Sequence, residues 1–60
     1  MPDNWKGVVV YIGGCFAEGI KDADAVTTDE EGSLYVWQGD EFLHEYPPGM
    51  WVDYKIEGGE

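Results

Sequence analysis

The sequence predicts a small all-β domain, an antiparallel meander of about five short strands that is either an open sheet or a small closed barrel. Three observations predict it. Val8-Val9-Val10 is a run of β-branched residues suited to a pleated surface. Glycine and proline cut the chain into apolar runs shorter than ordinary helices. In the C-terminal half, turn residues bound strand-length runs whose period of two sorts mainly aliphatic side chains to one face and aromatic ones with polar tips to the other.

Residues 5–12 (WKGVVVYI) form the first expected strand. Gly13-Gly14 reads as a two-residue hairpin loop, because both central positions can take positive φ, and residues 15–20 as the second strand. The rival is an α+β fold with a short helix near residues 16–26, carrying Phe16, Ile20 and Ala23 on one stripe. Gly19 inside that helix costs about 1 kcal/mol relative to alanine, and Asp22 and Asp24 are poor interior residues, so the strand is favoured. Val26-Thr27-Thr28 is a short strand turned by Asp29-Glu30-Glu31-Gly32. Residues 33–38 (SLYVWQ) are the next strand, and Gly39-Asp40 is its type II′ turn into residues 41–46 (EFLHEY). Pro48-Gly49 suits the centre of a type II turn, and residues 50–57 (MWVDYKIE) form the last strand. The whole chain, 1–60, is one domain, with residues 1–4 and 58–60 expected to fray.

These turns imply a register. Trp37 is expected opposite Phe42, Val36 opposite Leu43 and Tyr35 opposite His44. The last hairpin would set Tyr46 opposite Trp51, His44 opposite Asp53 and Leu43 opposite Tyr54. One face then holds Leu34, Val36, Leu43, Val52, Tyr54 and Ile56 as the core. The other holds Tyr35, Trp37, Phe42, His44, Tyr46, Trp51, Asp53 and Lys55. Those aromatics close a small barrel or pack under the first hairpin, form an exposed interaction patch, or join two copies of the chain as a homodimer.

Charge bounds the function more tightly than any motif. Thirteen Asp and Glu face three Lys and no Arg, a formal net charge of -10. Self-repulsion of that size destabilises a compact domain, so the acid is expected to serve a partner, solubility or a salty habitat. It argues against direct binding of nucleic acid or of an anionic membrane surface. Fifteen per cent aromatic residues separate the chain from disordered acidic segments. The single cysteine, Cys15, excludes an internal disulfide framework and suggests a reducing, cytoplasmic setting.

Catalytic and metal chemistry have little to build on. Cys15 and His44 fall on different expected hairpins, and His44 opposite Asp53 reads as a cross-strand ion pair more readily than as an acid–base dyad. The acids at Asp22-Asp24, Asp29-Glu30-Glu31 and Asp40-Glu41 lack the alternating ligand pattern of a calcium loop. No cofactor motif is present, and a non-enzymatic role is expected. Repulsion within the crowded Asp29-Glu30-Glu31 and Asp40-Glu41 turns predicts that they bind protons more readily than free carboxylates do, so that stability rises as pH falls from neutral.

The expected function is that of an acidic binding protein. It would occupy a basic surface, that of a nucleic-acid-binding protein, as a nucleic-acid-mimic inhibitor of the kind useful to a virus or mobile element. The residues expected to carry it are Asp29, Glu30, Glu31, Asp40, Glu41, Trp37, Phe42, Tyr46 and Trp51. The alternative is a generic protein-interaction module or small subunit whose acidity serves solubility or haloadaptation.

Overall fold

The computed structural model describes residues 5–58, and six strands lie within them. In chain order these are β1 (Gly7–Gly13), β2 (Phe16–Lys21), β3 (Ala25–Thr28), β4 (Leu34–Gln38), β5 (Glu41–Tyr46) and β6 (Asp53–Glu57). They form two open antiparallel sheets: sheet I in the order β2-β1-β6 and sheet II in the order β3-β4-β5. The all-β antiparallel class agrees with the sequence reading. The single meander does not, and neither sheet closes into a barrel. The termini expected to fray lie, apart from Gly58, outside the described residues. No helix among the described residues is long and apolar enough to cross a membrane.

Residues 16–26 are divided between the two sheets, which removes the helical alternative. The division falls at Asp22, whose φ of 70° turns the chain while its N–H donates to the Lys6 carbonyl at 2.9 Å. Ala23, next in line, is buried at this corner. The first hairpin closes at Gly13–Phe16 around Gly14-Cys15, not around Gly13-Gly14. An irregularity between Tyr11 and Gly13 absorbs one residue and moves the loop along by one.

The β4–β5 hairpin forms as expected around Gly39-Asp40. Gly39 has φ 59° and no positive φ occurs at Asp40, the type II′ signature that glycine in first place allows. Trp37 pairs with Phe42, but a bulge follows. Val36 pairs with His44, Tyr35 with Glu45 and Leu34 with Tyr46, leaving Leu43 as the extra residue. From there on every β5 side chain changes face. Tyr46 therefore belongs to the core, and Glu45 takes its place on the opposite side of the sheet.

The larger correction concerns β6. The Pro47–Met50 turn forms, with Met50 N–H donating to the Pro47 carbonyl at 3.0 Å. The chain then leaves β5 and crosses to sheet I, where Tyr11 pairs with Asp53, Val10 with Tyr54 and Val8 with Ile56. None of the expected β5–β6 pairs exists, and His44 and Asp53 stand on different sheets. The reason is β1. Its valines are buried on both faces, and such a strand is stable only with neighbours on both edges. Val52 N–H on the Tyr11 carbonyl at 2.7 Å and the Trp51 indole N–H on the Gly32 carbonyl at 2.8 Å fix the crossing.

The core lies where the sheets meet. Val8 and Val10 of sheet I pack with Leu34, Val36 and Tyr46 of sheet II and with Ala23, while Ile12, Ile20, Val26, Leu43 and Trp51 close around them. The Tyr46 hydroxyl donates to Glu18 Oε1 at 2.6 Å, a polar tie between β5 and β2. Burial first, and then this bond, push the Tyr46 phenol pKa well above its ordinary value. On the far side of sheet I the Trp5 ring lies over Gly7 and Gly19, where any Cβ would meet it, and Val9 beside them is buried. Val52, Tyr54 and Ile56, expected in the core, are instead exposed, Val52 by 64%. Sheet II does not extend over β6.

This placement inverts an expectation about stability. Leu34→Ala should cost about 3 kcal/mol, a large share of what so small a domain has, whereas Val52→Ala should change stability by no more than about 0.5 kcal/mol. Urea denaturation of both variants in dilute solution checks this; equal costs would mean that β6 is packed beneath the second sheet.

Candidate interaction face

The outer side of sheet II, away from the core, is built from two cross-strand rows. Thr27, Tyr35 and Glu45 form one, and Ala25, Trp37 and Phe42 the other. The three rings touch. Trp37 meets Phe42 edge to face, with centroids 5.7 Å apart and planes at 70°, and Tyr35 lies 6.4 Å from Phe42. Their polar atoms are satisfied within the sheet. The Trp37 indole N–H donates to Thr27 Oγ1 at 3.0 Å, and the Tyr35 hydroxyl donates to Asp29 Oδ2 at 2.8 Å. Both rings are thereby held in place, and Phe42 stands 49% exposed between them.

An acidic turn lies at each end of this aromatic surface, and in each one carboxylate shapes the backbone. In the β3–β4 turn Asp29 Oδ1 accepts the N–H groups of Glu31, Gly32 and Ser33, each at 3.0 Å. Bonds from the Tyr35 hydroxyl and then from the backbone hold the Asp29 carboxyl below its ordinary pKa. The expectation that charge crowding makes this turn bind protons more readily therefore fails at Asp29, because four donors outweigh two neighbouring acids. The same hydrogen bond is the leading cause of an upward shift at the Tyr35 phenol. At the other end Asp24 accepts the Gly39 N–H, at 3.0 and 3.3 Å to its two oxygens, and braces the β4–β5 turn. Glu30 and Glu31 at one end, Asp40 and Glu41 at the other, and Glu45 on the sheet are exposed.

Charge is segregated between the sheets. Every lysine lies in or beside sheet I, where Lys6, Lys21 and Lys55 balance Glu18, Asp53 and Glu57. Residues 22–51, which build sheet II and its turns, contain acids and no lysine or arginine. The net charge of the described residues thus belongs to the sheet that carries the aromatic rows.

Of the residues expected from the sequence to bind a partner, Asp29, Glu30, Glu31, Asp40, Glu41, Trp37 and Phe42 come together on or beside this face. Tyr46 and Trp51 do not: Tyr46 is 6% exposed in the core, and Trp51 is half-buried with its N–H on Gly32. Tyr35 and Glu45 join the face instead. Tyr35 shares its alternation with Trp37, a signal present in the sequence, whereas Glu45 arrives there only through the bulge at Leu43. His44 lies against Tyr46 with ring centroids 4.4 Å apart, not against Asp53, and Cys15 is exposed at the hairpin tip of sheet I. No three His, Cys, Asp or Glu side chains converge on a point among the described residues.

Asp29 gives this face a pH dependence whose sign follows from its depressed pKa. A carboxylate lowered in the folded state contributes stability above its unfolded pKa, near the ordinary 3.8, and loses that contribution as pH falls through the folded value. Asp29→Ala should therefore melt below the wild type at neutral pH, with the gap narrowing below pH 3.8. Melting curves from pH 7 to pH 2 check this; a gap that widens in acid would contradict the assignment.

Set against known protein families, curated proteins and solved structures, the chain matches none of them.

Proposed function

We propose that this is a non-enzymatic binding protein that docks the outer face of sheet II onto a basic surface of a nucleic-acid-binding protein, in the manner of a nucleic-acid mimic. One observation carries the proposal: a cluster of mutually touching rings, Phe42 exposed and Tyr35 and Trp37 half-buried and held by hydrogen bonds, faces outward on the lysine-free acidic sheet. Acid on that sheet draws a cationic groove toward the rings, and rings held by their own hydrogen bonds lose little freedom on being covered. The two acidic turns lie at opposite ends of β4. At about 3.3 Å per residue they stand roughly 20 Å apart, the length of about six base-pair steps. A groove tuned to phosphates meets carboxylates at both ends and flat aromatic surface between them.

The two contributions should separate kinetically. Glu30→Gln, Glu31→Gln, Asp40→Asn and Glu41→Gln together should slow association with the target by about tenfold at low salt and flatten its salt dependence. Asp29 and Asp24 are left intact because they hold the turns. Phe42→Ala should leave association unchanged and speed dissociation by about tenfold. The target is isolated by capture on the immobilised protein and graded salt elution, and is then offered its own nucleic acid. Mutually exclusive binding supports mimicry. A ternary complex contradicts it and makes the face a general protein-interaction surface.

A further inference from the structure

We propose that a second copy of this chain pairs with the outer edge of β6, in antiparallel register about a two-fold axis through Tyr54. The outer edge of β6 is paired to no strand among the described residues, since sheet I ends there. The Asp22 N–H on the Lys6 carbonyl makes Gly7–Lys21 a non-hydrogen-bonded pair. Val8 and Val10 therefore turn their N–H groups to β2, and Tyr54, opposite Val10, turns its own N–H outward, where Asp53 Oδ1 accepts it at 2.8 Å. An edge of this kind is a template for another strand.

The sequence of the edge fits itself. A two-fold axis through Tyr54 sets Tyr54 on its own copy once, and Asp53 opposite Lys55 and Val52 opposite Ile56 twice each. Val52, Tyr54 and Ile56 share one side of the strand and are exposed by 64%, 38% and 50%. Pairing therefore gives Val52, Tyr54 and Ile56 apolar partners and sets Asp53 and Lys55 against each other, while Glu57 keeps the Lys55 ammonium of its own strand at 3.3 Å. Neighbouring registers do worse. A centre on Lys55 opposes two lysines and sets Asp53 against Glu57, and a centre on Ile56 leaves Val52 without an apolar partner. The charge segregation permits the approach, because the unbalanced acids sit on the other sheet and the joining sheet is balanced. A basic partner has no such reason to choose β6, whereas a second copy matches it residue by residue. The product is one six-stranded sheet, β2-β1-β6 continued into its symmetry mate, with both acidic faces left free. This inference does not depend on what those faces bind.

Sedimentation equilibrium of the full chain from about 10 µM to about 1 mM tests it, with a reversible dimer expected at a Kd on the order of 100 µM, as suits a small interface. Asp53→Lys alone, or Lys55→Asp alone, places like charges opposite one another and should weaken the dimer by at least about tenfold. The double exchange Asp53→Lys with Lys55→Asp restores opposite pairs and should return the affinity to within about threefold of the wild type. Both positions are exposed, and near-ultraviolet circular dichroism of the tryptophans verifies that each variant is folded. A monomer at every concentration overturns the proposal. So does a dimer indifferent to the single exchanges, which would use another surface, and so does a double exchange that stays as weak as the singles.

Discussion

The architecture turns on one strand that is apolar on both sides. Val8 and Val10 point into the space between the sheets and Val9 points the other way, yet all three are buried. A strand with that pattern cannot lie at an edge without exposing valine or leaving backbone groups unpaired. β2 covers one edge through a tight hairpin. The other edge must be covered by a distant segment, and β6 is the one that reaches it. Everything else follows from that crossing: the split into two sheets, the core between them, and the removal of Val52, Tyr54 and Ile56 from the core into the open.

The same crossing sorts the charge. Had β6 returned along β5, Lys55 would lie on the sheet that carries Tyr35, Trp37 and Phe42, among its carboxylates. By pairing with β1 it joins Lys6 and Lys21, and sheet II is left with acid alone. The cost of holding like charges together is reduced where it is greatest, at the turns, because Asp29 and Asp24 are each engaged by backbone N–H groups. Two kinds of carboxylate therefore share the acidic sheet. Some fold it, and others, such as Glu30, Glu31, Asp40 and Glu41, stand in solvent where they act at long range on a cationic surface.

What the sequence made legible was local. Gly39-Asp40 and Pro48-Gly49 specify their turns through the chemistry of two residues, and the pairing of Trp37 with Phe42 follows at once from the first of these. The aromatic face and its acidic ends were legible to the same extent, through alternation along β4 and through composition. Two features were not. The bulge at Leu43 has no local marker, since the alternation of Leu43, His44, Glu45 and Tyr46 suits either face; the tertiary position of Tyr46, tied to Glu18, decides it. The partner of β6 was hidden for a different reason. Pairing each strand with its chain neighbour is the cheaper assumption in loop entropy, but the burial of β1 outweighs it. Asp29 shows the same limit on a smaller scale, for charge counting sees two neighbouring acids and cannot see four donors.

The pairing of β6 with β1 is the claim on which the rest stands, and proton–proton contacts in solution test it most directly. Non-hydrogen-bonded pairs in an antiparallel ladder bring their Hα atoms closest, and the outward Tyr54 N–H makes Val10–Tyr54 and Val8–Ile56 pairs of that kind. Strong Hα–Hα nuclear Overhauser effects are expected between Val10 and Tyr54 and between Val8 and Ile56. Effects between Leu43 and Tyr54 in their place would put β6 back beside β5, mix the lysine into the acidic sheet, and contradict the account.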